Sequence, residues 1–166
     1  MKSDKIYLVG FMGAGKSTVA RALAQRLGWS VEDLDELIET QEQRTIAEIF
    51  STEGEAEFRK MEQILLQELR PRRHVVVATG GGTFVDSASR ALIATDGASV
   101  WLDVSFETVV KRLPSDGTRP LATDRSTMHG LWRVRRPAYR LAELKLSADR
   151  AAIEDLVGDI VSWLES

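Results

Sequence analysis

A glycine-rich segment that ends in a lysine and a serine lies near the start of the chain. Residues 10–17, here called the P-loop, read Gly-Phe-Met-Gly-Ala-Gly-Lys-Ser and match G-x-x-x-x-G-K-[ST]. In this pattern backbone N–H groups surround a phosphate at the positive end of the next helix. It predicts a nucleotide-phosphate site, with Lys16 on the β- and γ-phosphates and Ser17 as a Mg²⁺ ligand; an ordinary tight turn is the alternative. The predicted site comprises Gly13, Ala14, Gly15, Lys16, Ser17 and Thr18.

The kind of P-loop protein is narrowed by what the sequence lacks. It contains no N/T-K-x-D segment, the motif expected of a guanine-specific GTPase. A length of 166 residues is too short for a motor or transporter ATPase domain. A kinase of small molecules fits best.

Two carboxylates, Asp33 and Asp35, stand two residues apart at the end of the second predicted strand. The period of two in a strand would place both on one side, where strand ends face the ligand crevice of an α/β sheet. One could hold Mg²⁺ and the other could orient or deprotonate an acceptor hydroxyl. Alternatively, both only favour the N-terminus of the next helix.

A helical segment places an arginine between two carboxylates. Arg59 has Glu55 four residues before it and Glu62 three residues after it. This pattern is typical of a surface ion-pair ladder, but it could also orient a guanidinium to bind a substrate carboxylate through two hydrogen bonds. Phe50 and Phe58 could form an apolar wall beside it or belong to the core.

Three glycines, Gly80, Gly81 and Gly82, follow the most strand-like run, 74–79. Ordering three glycines costs conformational entropy, so a mere spacer is unexpected there. The sequence favours backbone that approaches the hydroxyl groups of a ligand, and a tight turn is the alternative.

Charge is distributed unevenly along the chain. The net charge is −3, yet residues 111–140 contain eight basic and two acidic residues. This pattern disfavours a nucleic-acid partner and favours a small anionic ligand. Within that window Arg119 lies in a turn-rich segment, where an arginine could neutralise a transferred phosphate or could be solvated surface.

Several other classes of protein are disfavoured by composition. The absence of cysteine excludes thiolate catalysis and cysteine-ligated metal sites. No apolar run has the length of about 20 residues that a membrane span requires. No signal or transit peptide is recognised at the N-terminus, so we expect a cytoplasmic protein without a membrane partner.

Strand and helix patterns alternate along the whole chain, which predicts an α/β three-layer sandwich with a parallel sheet. Strands are predicted at 6–9, 29–33, 74–79, 98–103 and 143–148. Helices are predicted at 34–41, 45–51, 54–69, 85–94, 105–113, 126–142 and 151–164, and one follows the P-loop until Gly28.

Taken together, these motifs resemble the shikimate kinase family in order and approximate spacing. The resemblance rests on the P-loop, Asp33 and Asp35, Ile46-x-x-x-Phe50, Gly54-Glu55-x-x-Phe58-Arg59, Gly80–Gly82, Arg119-Pro120-Leu121 and Arg135-x-Pro137-x-Tyr139. One departure is Gln43, which stands where the family usually has a glycine, so the local turn is expected to differ.

The resemblance implies transfer of phosphate from ATP to the 3-hydroxyl of shikimate, with Mg²⁺, in chorismate and aromatic amino-acid synthesis. It implies that Asp35 is the base, that Asp33 reaches Mg²⁺ through water and that Arg119 contacts the transferred phosphate. It further implies that the nucleotide site includes Arg112 and Arg150. The implied shikimate-binding residues are Asp35, Phe50, Phe58, Arg59, Glu62, Gly80, Gly81, Gly82 and Arg135.

The resemblance also implies a five-stranded parallel sheet of the nucleoside-monophosphate-kinase type with a lid. We expect one kinase domain over 1–166, with a substrate-binding helical segment at about 33–62, a lid at about 114–126 and a monomeric state. Another small-molecule kinase, of the gluconate or nucleoside-monophosphate type, is the alternative enzyme. A non-catalytic relative that binds ATP or a metabolite is the alternative from another class.

Overall fold

The computed structural model describes residues 1–113 and 124–166, which contain a five-stranded sheet and, within those ranges, seven helices. Strands and helices alternate as the apolar patterns predict. The elements are β1 (Lys5–Val9), α1 (Lys16–Leu27), β2 (Ser30–Asp33), α2 (Leu34–Glu42), α3 (Ile46–Glu68), β3 (Val75–Ala78), α4 (Ser87–Ala94), β4 (Ala98–Asp103), α5 (Phe106–Arg112), α6 (Arg125–Tyr139), β5 (Leu144–Ser147) and α7 (Ile153–Glu165).

The sheet has the strand order β2-β3-β1-β4-β5, and every neighbouring pair is parallel. The chain therefore crosses from β1 to β2 in one direction and from β3 to β4 in the other. Because such crossovers are right-handed, α1 and α4 lie on opposite faces of the sheet. Helix α1 packs on β1, β2 and β3 and against α7, whereas α4 packs on β4 and against α3. The predicted three-layer arrangement of five parallel strands is confirmed.

The core lies in the middle of this sheet. All residues of β1 and β3 are buried, which explains why both strands read as continuous apolar runs with little polar alternation. The edge strands β2 and β5 are partly exposed. The central strands therefore form a rigid support for the segments that leave their carboxyl ends.

Three of those segments carry the predicted site. The P-loop leaves β1, Asp33 ends β2, and Gly80–Gly82 follow β3. The connections after β1 and β3 depart in opposite directions, so a crevice opens between them at the carboxyl end of the sheet. The topology thus brings three separate parts of the sequence to one edge.

Helix α3 contains the break that the sequence predicts between two helical patterns. Gly54 has φ +84° within Ile46–Glu68, a conformation that glycine adopts without a Cβ clash. Just before α3, Gln43 has φ +55°. This left-handed conformation costs a residue with a side chain about 1 kcal/mol. The backbone at Gln43 is therefore of the kind that a glycine favours, and the expectation of a different local turn is not supported.

The amino end of the sheet is closed by a buried ionic cluster. The Asp96 carboxylate lies 2.7 Å from the Lys5 ammonium and 2.8 Å from the Arg73 guanidinium, and the Tyr7 hydroxyl donates to it at 2.5 Å. Burial alone would raise the pKa of Asp96, but the hydrogen bonds from these three donors hold that pKa below its ordinary value. Lys5 is itself fully buried, and Asp96 is the carboxylate that pairs with its ammonium group.

Candidate active site

The P-loop has the backbone conformation that its glycines predict. Gly13 has φ +78° and Gly15 has φ +91°, and Gly15 is the N-cap of α1. Lys16 begins the helix, and its buried ammonium group donates hydrogen bonds to the carbonyl oxygens of Gly10 at 2.7 Å and Phe11 at 2.9 Å. The positive end of α1 and the lysine therefore face the same cavity.

Asp33 is tied to both the P-loop and α2. One carboxylate oxygen accepts a hydrogen bond from the Ser17 hydroxyl at 2.5 Å, and the other accepts from the Glu36 N–H at 3.2 Å. The second contact makes Asp33 the N-cap of α2, which agrees with the alternative that this carboxylate favours the start of the next helix. A hydroxyl and a carboxylate side by side are hard oxygen donors of the kind that bind Mg²⁺ together with substrate phosphates and water. The described residues contain no cluster of three or more His, Cys, Asp or Glu that could hold a metal.

Asp35 lies in the first turn of α2, beyond the end of β2. The prediction that strand periodicity aligns Asp35 with Asp33 is therefore wrong, because the strand ends at Asp33. Both carboxylates nevertheless line one cavity, since Asp33 ends the strand and Asp35 lies in the helical turn that begins at the next residue.

Two adjoining cavities occupy the crevice. We call the first the phosphate cavity; it is lined by Gly13, Gly15, Lys16, Ser17, Thr18, Asp33, Asp35, Thr79, Gly80, Gly81 and Arg112. We call the second the acceptor cavity; it is lined by Met12, Asp35, Ile46, Phe50, Phe58, Arg59, Glu62, Gly80, Gly81, Gly82 and Arg135. Asp35, Gly80 and Gly81 line both, so these three residues mark the junction.

Arg59 is held as the sequence pattern suggests, but it does not belong to a surface ladder. Its guanidinium donates to Glu62 at 2.6 Å and to Glu55 at 3.1 Å, and only 12% of its side chain is exposed. It also lies 5.3 Å from the centre of the Phe58 ring. Burial opposes the charge of Arg59, but the two carboxylates outweigh it and raise the pKa of the guanidinium. The arginine is therefore a fixed cation facing the acceptor cavity.

Glu62 is fully buried, and both of its oxygens are engaged. One accepts from Arg59 and the other from the hydroxyl of Thr83. Burial raises the pKa of Glu62, while Arg59 and Thr83 act in the opposite direction. A buried carboxylate in this setting orients its cationic partner.

The three glycines form a turn against which three charged side chains pack. A Cβ atom at Gly80 would lie 2.9 Å from Oδ1 of Asp35, and one at Gly81 would lie 3.0 Å from Nη1 of Arg135. A Cβ at Gly82 would lie 2.1 Å from Nη2 of Arg59. The turn interpretation is correct, and the glycines also leave room for these three side chains.

Of two adjacent arginines on α6, Arg135 faces the acceptor cavity and is buried. Its guanidinium lies 6.0 Å from the Phe11 ring, and burial lowers its pKa. Arg136 points elsewhere, donating to Asp103 at 2.6 Å and lying 4.5 Å from the Trp132 ring. Of the two, Arg135 is therefore the arginine that faces the acceptor cavity.

A third cavity lies beyond the P-loop and contains the two predicted nucleotide-site arginines, Arg112 and Arg150. Arg112 donates to the Gly13 carbonyl at 2.9 Å and so connects this cavity with the phosphate cavity. Asp149 accepts from the Ser105 N–H at 2.7 Å beside it. Arg119 and the predicted lid up to residue 123 lie outside the described residues, and α6 begins at Arg125.

Four residues at or beside the acceptor cavity have no site role predicted from the sequence. Met12 and Ile46 line it, and Thr83 contacts Glu62. Tyr139 is buried and its hydroxyl donates to the Gly81 carbonyl. Burial raises the pKa of Tyr139 to about 12. Three of the four lie in motifs that the sequence shows, Met12 in the P-loop, Ile46 in Ile46-x-x-x-Phe50 and Tyr139 in Arg135-x-Pro137-x-Tyr139, whereas Thr83 lies in none.

Within residues 1–113 and 124–166, no helix combines the length and apolar character needed to cross a membrane.

Comparison with known proteins identifies relatives along almost the whole chain. The model of the shikimate kinase family matches residues 12–165. Shikimate kinase from Sulfurihydrogenibium sp. is 39% identical over 161 residues, covering 96% of this chain and 97% of the relative. Shikimate kinase from Persephonella marina is 37% identical over 157 residues, covering 94% of this chain and 96% of the relative. The solved structure of shikimate kinase from Acinetobacter baumannii in complex with shikimate has a TM-score of 0.93 and 36% identity, covering 98% of this chain and 93% of that one.

Proposed function

The chain belongs to the shikimate kinase family, and we propose that it transfers the γ-phosphate of ATP to the 3-hydroxyl of shikimate. The products are ADP and shikimate 3-phosphate. The observation that carries this proposal is the junction of the phosphate and acceptor cavities at Asp35. A carboxylate at that junction can contact an acceptor hydroxyl on one side while a phosphate lies on the other.

The acceptor cavity offers the groups that a polyhydroxylated carboxylate requires. Arg59 and Arg135 approach neighbouring residues of the glycine turn, so their charges converge where the substrate carboxylate would bind. The glycine turn lines the same cavity, and its backbone is proposed to contact ring hydroxyls. Phe50 and Phe58, with ring centres 4.8 Å apart, supply the apolar wall. Each ring also packs against the core, so a place in the core and a place in the wall of the cavity are compatible.

Asp35 is the proposed general base. It accepts the proton of the 3-hydroxyl as that oxygen forms a bond to the γ-phosphorus, and the bond from the γ-phosphorus to the β–γ bridging oxygen breaks. The negative charge of the leaving group remains on ADP. Lys16 and the N-terminus of α1 stabilise the charge that develops on the β- and γ-phosphates. Arg119 is proposed to contact the transferred phosphate from the lid at about 114–126.

Mg²⁺ is the proposed metal cofactor, and Ser17 and Asp33 are the residues that would hold it, Asp33 through water. The adjacent hydroxyl and carboxylate oxygens of these residues fit a hard cation. When bound, the metal neutralises charge on the phosphates during transfer. Outside the metal site, Arg112 and Arg150 are proposed to contact the adenine side of ATP, because both line the third cavity.

The test is an assay of ADP release by purified protein with ATP and Mg²⁺. Shikimate, gluconate, a set of nucleoside monophosphates and no acceptor are compared at equal concentration. We expect release only with shikimate. Release with gluconate or a nucleoside monophosphate would support the alternative kinases, and equal release with and without an acceptor would contradict the proposal. The cytoplasmic location and monomeric state expected from the sequence remain predictions; gel filtration tests the latter.

A further inference from the structure

Thr83 connects two parts of the acceptor cavity through one buried hydroxyl group. That hydroxyl donates a hydrogen bond to Oε2 of Glu62 and accepts one from the Gly80 N–H at 3.0 Å. The other oxygen of Glu62 accepts from Arg59 at 2.6 Å. Thr83 and Glu62 are both 0% exposed, so water does not replace either contact.

We propose that Thr83 is a positioning residue that fixes the orientation of Glu62 and, through Glu62, the guanidinium of Arg59. The inference deepens the proposed function and rests on it, because its effect is on binding of the substrate carboxylate. Thr83 is not expected to touch the substrate.

Glu62 needs a second hydrogen-bond donor because the carboxylate of a glutamate side chain can rotate. The terminal torsion of glutamate is broad, so one contact to Arg59 leaves the plane of the carboxylate poorly defined. A donor on the opposite oxygen fixes that plane. A threonine suits this role because its branched Cβ restricts χ1 and so directs the hydroxyl.

The same hydroxyl also links the carboxylate to the glycine turn. Gly80 packs against Asp35, with 2.9 Å between Asp35 Oδ1 and a Cβ built on Gly80. Hydrogen bonds through Thr83 and Glu62 therefore connect Arg59, which would bind the acceptor carboxylate, with the backbone of Gly80 beside the proposed base. Loss of the hydroxyl would leave a buried oxygen and a buried N–H each without its partner.

The test compares Thr83→Val, which keeps the branched shape, with Thr83→Ser, which keeps the hydroxyl. For Thr83→Val we expect the shikimate KM to rise roughly tenfold, the effect of one hydrogen bond to a charged group. The ATP KM and kcat should change by less than about threefold. The lost interaction binds shikimate equally in the ground state and the transition state, and its loss raises only the shikimate KM. Thr83→Ser should restore most of the shikimate KM. Thr83→Ala serves in place of the valine variant if that protein does not fold.

Ser89→Ala provides the matched control. Ser89 is buried on α4, and its hydroxyl is not part of the hydrogen-bonded group formed by Thr83, Glu62 and Arg59. Removing it also removes a buried hydroxyl, but we expect no change in the shikimate KM.

A double-variant cycle identifies the route of the effect. If Thr83 acts through Glu62, Thr83→Val should raise the shikimate KM much less in a Glu62→Gln background than in the native one. Equal effects in both backgrounds, or an unchanged shikimate KM for Thr83→Val alone, would overturn the inference. In either case, activity of the native protein with shikimate would leave the proposed function standing. Absence of shikimate-dependent ADP release from the native protein would overturn both.

Discussion

Replacing Gly82 by alanine tests whether the position of Arg59 governs acceptor binding. The new Cβ would lie 2.1 Å from Nη2 of Arg59, whereas an ordinary contact begins at about 3.4 Å, so the guanidinium must move by at least about 1.3 Å. The φ of Gly82 is not positive, so the backbone there accepts a Cβ, and the cost of alanine falls on the side chain of Arg59. The movement breaks the 2.6 Å hydrogen bond to Glu62.

Misplacement of a substrate-binding group by about 1 Å can reduce turnover roughly 100-fold. We therefore expect Gly82→Ala to lower kcat/KM for shikimate by about that factor, with the ATP KM nearly unchanged. Steady-state kinetics with each substrate varied in turn, together with a thermal melt, provide the measurement. The melting temperature should fall by no more than a few degrees.

The matched control is Gly158→Ala on α7, where the added Cβ would have no neighbour within 4 Å beyond the adjoining residues of its own helix. It should leave both KM values unchanged and raise the melting temperature slightly, because alanine is the better helix former. Native kcat/KM for shikimate in Gly82→Ala would show that the position of Arg59 does not govern acceptor binding, and so would an equal loss for ATP and shikimate.

Three further substitutions test other parts of the structure. Asp35→Asn should lower kcat by roughly 10²–10⁴, the contribution of a positioned base, and unchanged single-turnover rates would remove Asp35 from that role. Arg59→Lys should raise mainly the shikimate KM, because an ammonium group cannot make the two parallel hydrogen bonds of a guanidinium; an effect confined to the ATP KM would contradict this. Asp96→Asn should destabilise the fold by about 3 kcal/mol near pH 7, since Lys5 remains buried without its partner. The pKa of Asp96 is lowered in the folded state. Its contribution to the free energy of unfolding is therefore fully present above the unfolded-state pKa of about 3.9 and is lost as the pH falls through the folded-state pKa. The melting temperatures of the native protein and the variant should converge in acid for this reason. A constant difference between those temperatures down to strong acid would contradict the assignment.

The fold was largely predictable because its signals are local. Continuous apolar runs mark the buried strands, and Gly28 takes a left-handed conformation at the end of α1, as the sequence suggests. The P-loop was predictable for the same reason, since one short segment contains the glycines, the lysine and the helix start. Even the break at Gly54 follows from two separate helical patterns.

The arrangement of the acceptor cavity was less predictable because it depends on packing between distant segments. The sequence suggested an arginine between two carboxylates, but only the contact of α3 with the glycine turn shows that Glu62 is buried. Asp35 was expected at a strand end and lies in a helical turn instead. Thr83 has no distinguishing sequence pattern, and its role is visible only from its partners at positions 62 and 80.

The most direct test of the central claim is identification of the phosphorylated product. Native protein is incubated with ATP, Mg²⁺ and shikimate, and the mixture is followed by phosphorus NMR with proton coupling. We expect ADP and, in equal amount, a phosphate monoester whose phosphorus couples to the proton on carbon 3 of shikimate. Formation of inorganic phosphate alone, or of an ester at another hydroxyl, would contradict it.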